Sequence, residues 1–317
     1  DTEYILRLFE RECTGEHEAD LSRVFTQLRG SFALGILLPD RLIAVRDGSG
    51  NRPLSIGKLD GGYCISSETC AFPSVGAAYL AEVLPGTMVS ITKDGLRTTH
   101  FAESDEKKCL FEIIYYSHPG SVVFGEQVGR FRMALGRELE RCAPVVGGVD
   151  IVTPVPDSSN FIAMGFGESG RSGAYFPVIM RNHYVGRTFI AATQARRDVE
   201  VSQKFTFMAE EIEGKRIVVV DDSIVRGTTM PKIVSMLRQL GARAVHIRIG
   251  CPPIRHSCRY GINTPTTDEL IAAQYEIAEM REQFGADSLE FLPMEALKRL
   301  SGDHRKFCFA CMSGEYW

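Results

Sequence analysis

The run Arg216-Ile217-Val218-Val219-Val220-Asp221-Asp222-Ser223-Ile224-Val225-Arg226-Gly227-Thr228-Thr229 begins apolar and ends polar. Its apolar half fits a strand buried on both faces, the form strands take in a parallel sheet. Such a strand delivers Asp221 and Asp222 to its carboxyl end, where ligands of open α/β sheets bind. A loop with one glycine and two threonines follows, and then a helix starts. Backbone N–H groups of this loop, the threonine hydroxyls and the helix N-terminus together make an anion cradle. Two carboxylates beside a phosphate cradle suit the vicinal hydroxyls of a sugar or a Mg²⁺ ion. The plain alternative is an Asp-Asp helix cap behind a core strand.

Working outward, the chain alternates on both sides of this run. Helices are predicted over 128–141, 161–170 and 229–240, and strands over 149–155, 175–180 and 245–249. This alternation predicts a parallel sheet with helices on both faces. Pro154-Val155-Pro156-Asp157-Ser158-Ser159 also ends a strand and opens a helix, so its turn can point N–H groups at a second anion. Between the two loops, 186–210 shows no period and carries Arg187, Arg196, Arg197 and Lys204. A long loop of this kind fits a basic lid over an anionic substrate, or a solvated surface loop. Gly165-Phe166-Gly167-Glu168-Ser169-Gly170 matches G-x-G-x-x-G literally, but it closes a helix rather than opening one, which argues against dinucleotide binding.

Before residue 105 the texture differs. Residues 1–27 read as helical. Short strand-like runs follow at 31–38, 42–46, 53–56, 63–66 and 87–91, with a helical insert over 75–79. Residues 268–317 read as a polar helical tail ending in a cysteine-bearing loop. At about 150 residues per domain, 317 residues suggest two domains. Hydrophobic residues are 44% and charged residues 24%, ordinary values that exclude a disordered or fibrous chain. The formal charge of −4 gives no global pull toward nucleic acid or an anionic membrane. No apolar run approaches the roughly 20 residues of a membrane span. Nine cysteines, an odd number in a chain too large to need disulfide staples, point to a reducing, cytoplasmic setting with free or metal-binding thiols.

The Asp221–Thr229 stretch resembles the phosphoribosyl-pyrophosphate (PRPP) motif of type I phosphoribosyltransferases. Further segments narrow the resemblance to the glutamine PRPP amidotransferase family. They are Arg46-Asp47 with Asn51-Arg52-Pro53-Leu54, Ser66-Ser67-Glu68-Thr69-Cys70-Ala71-Phe72, and Tyr184-Val185-Gly186-Arg187-Thr188-Phe189-Ile190. The segments at 250–264, Ala286-Asp287-Ser288-Leu289 and Cys308-Phe309-Ala310-Cys311-Met312-Ser313-Gly314-Glu315-Tyr316 complete it. The resemblance implies an α/β chain: part of an N-terminal-nucleophile (αββα) glutaminase domain over 1–108, a type I phosphoribosyltransferase domain with a parallel sheet over 109–275, and a C-terminal helical tail over 276–317 with a cysteine pair.

It also implies the reaction that opens purine synthesis: PRPP and glutamine, or ammonia, give 5-phosphoribosylamine, pyrophosphate and glutamate. PRPP contacts then fall on Asp157, Ser158, Ser159, Arg187, Lys204, Asp221, Asp222, Ser223, Arg226, Gly227, Thr228 and Thr229. Mg²⁺ falls on Ser158, Asp221 and Asp222, and the glutamine amino group on Asp1. The family's nucleophile is an N-terminal Cys, and the sequence starts at Asp1, so the expectation is a fragment that is at most ammonia-dependent. One branch of the family carries a [4Fe–4S] cluster on four cysteines, and Cys109, Cys258, Cys308 and Cys311 match those positions. Zn²⁺, with His256 replacing one ligand, is the rival. Cys13, Cys64, Cys70, Cys142 and Cys251 read as ordinary buried residues. Purine nucleotide feedback inhibitors and a homotetramer are implied as well. This sequence departs from the family at Arg181 and His183, at Ala192 and at Ser202. A salvage phosphoribosyltransferase and a PRPP-binding regulator are the alternatives.

Overall fold

The computed structural model describes residues 2–12, 14, 17–182, 204–264 and 266–317. Ile217, Val218, Val219 and Val220 have no exposed surface. Burial of each such side chain is worth about 1.5–3 kcal/mol relative to exposure, which fixes their strand, Arg216–Asp221, at the centre of a sheet. That sheet has five parallel strands in the order Ala174–Tyr175, Ile151–Pro154, Arg216–Asp221, Ala244–Ile249, Ser288–Phe291.

The strand order reverses direction between Ile151–Pro154 and Arg216–Asp221. From the first of these the chain steps outward to Ala174–Tyr175 through helix Asn160–Gly167. From the second it steps the other way through Met230–Gln239 and then Ile277–Phe284. Right-handed crossovers therefore put the first helix on one face and the other two on the opposite face. The reversal opens a crevice at the carboxyl ends of the two central strands, where Asp157 and Asp221 lie.

Glycines set the closest helix contact. A Cβ on Gly136 of helix Val128–Cys142 would stand 1.9 Å from the Ile162 carbonyl oxygen, and one on Gly165 would stand 2.1 Å from that of Met133. The G-x-G-x-x-G look-alike is thus accounted for by helix packing at its first glycine.

The N-terminal region is layered differently. Helices Thr2–Glu12 and His17–Gln27 cover a four-stranded antiparallel sheet of Ala33–Leu38, Arg41–Arg46, Thr87–Thr92 and Gly95–His100. A three-stranded sheet of Gly62–Ser66, Ser55–Leu59 and Ala78–Glu82 lies on its other side. Period-two alternation explains the sandwich. Ile43, Val45 and Met88 join the core under the helices, while Ala44, Val89 and Ile91 join the core between the sheets.

Three expectations change. The helical insert comes earlier, as short turns at Thr69–Ala71 and Pro73–Val75, and Ala78–Glu82 is a strand. The strand expected over 175–180 is broken at Pro177, whose ring removes a ladder donor. Its second half, Ile179–Arg181, pairs instead with Phe205–Phe207. The tail is not purely helical, because Ser288–Phe291 completes the parallel sheet. Among the described residues no helix is long and apolar enough to cross a membrane.

Candidate functional site

The crevice at the strand ends deepens into a cavity of about 620 Å³. Its wall includes Ser158, Lys204, Asp221, Asp222, Ser223, Arg226, Gly227, Thr228 and Thr229, so two loops 64 positions apart in sequence meet there. Asp222 is only 2% exposed, and both its oxygens are taken. Ser158 Oγ donates to Oδ1 at 2.5 Å and Ser223 Oγ donates to Oδ2 at 2.6 Å. Asp221 accepts the Asp222 N–H at 2.9 Å.

Burial pushes both carboxyl groups above the usual carboxylate range, and Asp221 furthest, since the Asp222 charge adds to it. Ser158, Ser223 and the Arg132 guanidinium oppose the rise at Asp222. Among the described residues neither carboxylate forms an ion pair, and two such carboxylates are a donor set that fits a divalent ion or the paired hydroxyls of a sugar.

The 226–229 loop is shaped by Gly227. Its φ is +69°, and a Cβ there would stand 2.4 Å from Ile271 Cδ1. The helix Met230–Gln239 begins just beyond, leaving its first N–H groups without intrahelical partners at the loop. Arg226 lines the cavity while its Nε holds Glu269 Oε2 at 2.9 Å.

In the 157–159 loop the three side chains diverge. Ser158 faces the cavity. The Asp157 carboxylate accepts from Arg181 Nη1 at 3.0 Å, and the fully buried Ser159 turns inward to donate to the Val155 carbonyl at 2.6 Å. Ser159 can therefore offer its backbone to a ligand, but not its hydroxyl. The Pro156–Asp157 peptide is cis. Asp1, Cys13, Arg187 and the remaining lid positions of 183–203 lie outside the described residues.

The same cavity is lined by Cys109, Cys258, Cys308 and Cys311. The strand pair Lys108–Cys109 and Phe307–Cys308 sets Cys308 beside Cys109. The Cys311 carbonyl accepts the N–H groups of Arg255 and His256, each at 3.0 Å, which draws the loop bearing Cys258 toward it. Burial pushes the Cys109 thiol well up and Cys311 up to about 12, and neighbouring cysteine charges add to both. They are thus neutral thiols at pH 7, and among the described residues no three His, Cys, Asp or Glu are gathered as the ligands of one metal ion. Four thiols on one wall remain the donor set that an iron–sulfur cluster uses. Of the other cysteines, Cys251 is buried as expected, whereas Cys64, Cys70 and Cys142 are only partly covered.

A second cavity, about 1090 Å³, lies toward the N-terminal region and includes Ser66, Ser67 and Glu68. Tyr116 and Tyr260 belong to both cavities. Arg52 and Glu112 form a 2.6 Å ion pair on the wall of the larger one, and burial holds the Glu112 carboxyl up. Sequence reasoning missed Glu112 and Tyr116. Their signal was a lone carboxylate inside the apolar run at 110–114.

The comparisons agree on both halves. The phosphoribosyl transferase domain family matches residues 171–266, and the glutamine amidotransferase domain family matches residues 1–74. The amidophosphoribosyltransferase of Bacillus subtilis is 42% identical over 325 residues, covering 100% of this chain and 67% of that protein. The chloroplastic amidophosphoribosyltransferase of Glycine max is 43% identical over 323 residues, with 100% and 56% covered. That of Synechocystis is 45% identical over 297 residues, with 92% and 59% covered. The chain thus spans between about half and two thirds of the length of these curated relatives. The solved glutamine PRPP amidotransferase of B. subtilis, complexed with ADP and GMP, superposes with a TM-score of 0.92 at 41% identity, covering 100% of this chain and 70% of that one. By these matches the chain belongs to the amidophosphoribosyltransferase family.

Proposed function

We propose that this chain carries the PRPP-using half of an amidophosphoribosyltransferase, which displaces pyrophosphate from C1 of PRPP with ammonia to give 5-phosphoribosylamine. One observation carries the reading: the acidic pair, Ser158 and the 226–229 loop line a single cavity at the point where the strand order reverses. The 5-phosphate takes the N–H groups of Arg226, Gly227, Thr228 and Thr229, with Ser223 beside them. The ribose hydroxyls donate to Asp221 and Asp222. The pyrophosphate faces Asp157, Ser158 and Ser159, with Lys204 and Arg187 as its cations. Nitrogen attacks C1 as the C1–O bond to pyrophosphate breaks, through an oxocarbenium-like transition state. The residues' work is to orient the sugar and balance charge on the leaving group. Mg²⁺ held at Ser158, Asp221 and Asp222 would supply further charge neutralisation.

Within the same proposal, Cys109, Cys258, Cys308 and Cys311 hold an iron–sulfur cluster that ties the tail to the domain junction. Glutamine as nitrogen donor, with Asp1 binding its amino group, is proposed from the amidotransferase match at residues 1–74. The division at 1–108, 109–275 and 276–317 belongs here too, with the tail lending its strand to the transferase sheet. Purine nucleotides as inhibitors are supported by the ADP and GMP named in the B. subtilis structure. The homotetramer is carried over from the family alone. A cytoplasmic location is proposed against plant relatives named as chloroplastic.

The test is pyrophosphate release from PRPP and Mg²⁺, with ammonium or glutamine as nitrogen source, beside calorimetry with PRPP. Release with ammonium is the expected result. A folded chain that neither binds PRPP nor releases pyrophosphate would sink the reading.

A further inference from the structure

Arg132 sits in helix Val128–Cys142 with 1% exposure, a guanidinium sealed inside the core. Burying this ion is costly unless its N–H groups are matched. Here the match is made by backbone carbonyls. Nε donates to the Ile113 oxygen at 2.8 Å, Nη2 to the Ser117 oxygen at 2.8 Å, and Nη1 to the Ser158 oxygen at 3.5 Å. The carboxylates of Asp222 and Glu68 act on it only through space.

The three carbonyls come from two segments: Ile113 and Ser117 from one short helix and its cap, and Ser158 from the loop after strand Ile151–Pro154. Ile113 lies in the turn Glu112–Tyr116, whose Glu112 meets Arg52 on the wall of the larger cavity. Ser117 precedes His118, whose N–H donates to Glu68 Oε2 at 2.6 Å across to the N-terminal region. Ser158 is the residue whose hydroxyl holds Asp222. One planar fork therefore joins the domain junction to the loop that closes on the acidic pair. An apolar residue of similar volume would fill this space without a desolvation cost, but it would leave three carbonyls in the core without a donor. A lysine has no fork with which to reach all three.

Resting on the function proposed above, we propose that Arg132 is a positioning residue for PRPP binding. It touches no ligand, and it fixes the Ser158 carbonyl so that the Ser158 side chain meets Asp222 in the geometry the pyrophosphate end of the site requires.

The experiment compares Arg132→Met and Arg132→Lys with Leu135→Val, a fully buried control on the same helix. The readouts are thermal midpoint, calorimetric PRPP affinity, and kcat and KM for PRPP with ammonium. A shift of a supporting shell costs on the order of tenfold to a hundredfold, so Arg132→Met is expected to raise Kd and KM for PRPP by about that much. Arg132→Lys should recover part of the loss. Leu135→Val should lower the midpoint and leave KM at the wild-type value. A folded Arg132→Met chain with wild-type KM overturns the proposal, as does a control that raises KM equally. Should the methionine variant not fold, Arg132→Lys decides alone, and an unchanged KM overturns. A wild-type chain that binds no PRPP refutes the parent reading instead, and is recognised before any variant is made.

Discussion

Asp221 and Asp222 are neighbours in sequence, whereas Cys109, Cys258, Cys308 and Cys311 come from three separate segments, although all six line one cavity. The carboxylates stand at the end of a strand with no exposed apolar surface, and hydroxyls from two loops grip Asp222. The thiols hang on a two-residue strand pair and on two N–H bonds to the Cys311 carbonyl. The first set is preorganised by the core beneath it. The second is assembled from separate segments, and burial keeps Cys109, Cys308 and Cys311 protonated until something withdraws the protons. Burial works against ionisation at both carboxylates and at these three thiols. A bound cation is the natural relief for each, and the difference lies in how much geometry exists before that relief arrives.

The comparison breaks most visibly if the acidic pair proves dispensable. Asp221→Asn with Asp222→Asn is expected to lower ammonium-dependent turnover by about a thousandfold or more, measured as pyrophosphate release. The same change should raise the thermal midpoint of the ligand-free chain by a few degrees. The sign follows from the raised folded-state pKa values. Between the unfolded and folded pKa values the folded state binds more protons, so stability falls as pH rises through that window and stays reduced above it. Uncharged side chains remove this deficit. A midpoint that drops would mean that the pair is held by more favourable contacts than its surroundings show.

The thiol set is tested by Cys311→Ser. Iron–sulfur absorbance of the reconstituted protein should vanish, with a midpoint several degrees lower than that of the cluster-bound chain, because metal affinity for a folded site adds to folding stability. Persistent absorbance would remove Cys311 from the set. Gly165→Ala probes the packing beneath the 157–159 loop. The added methyl meets the Met133 carbonyl, and overpacking of this kind costs about 1–3 kcal/mol, read as a shift in urea midpoint. No shift would mean that the two helices separate easily.

The smallest effect concerns the tail. Glu138 meets Arg141 and Arg299, which joins helix Val128–Cys142 to helix Met294–Leu300, and the hydrogen bonds of the two arginines hold its carboxyl down to about 2. Both arginines are more than half exposed, so Glu138→Gln should cost no more than about 1 kcal/mol. The cost should be full above the ordinary carboxylate pKa of about 4.3 and disappear as pH falls through about 2. A pH-independent cost in urea titrations would point to packing rather than charge.

Legibility follows the same divide. The acidic strand could be read because its evidence is local: four apolar residues, two acids and a glycine-bearing loop in one run. Ser288–Phe291 could not, because its four residues sit between helices and only Leu289 and Phe291 face the core. Its strand character comes from the open edge of Ala244–Ile249. Ser158, Asp157 and Ser159 were found as a group, but nothing in a serine pair says which hydroxyl will turn to Asp222 and which to Val155. In the sequence Arg132 is one more charge within the helix predicted over 128–141. Its burial depends on three carbonyls from two other segments, at 113–117 and at Ser158, and a linear pattern does not record them.

The place of Ser288–Phe291 at the edge of the sheet also bears on how the chain is made. Val245, Ile247 and Ile249 leave the ribosome well before the strand that covers their open edge. At about 5–20 residues per second that edge waits roughly two to eight seconds for its partner. During synthesis the nascent chain presents a strand with apolar residues on one face and unpaired backbone groups, a template for pairing with a neighbouring chain on the same message. Yield in the cell should therefore respond to translation speed over the codons for residues 250–290.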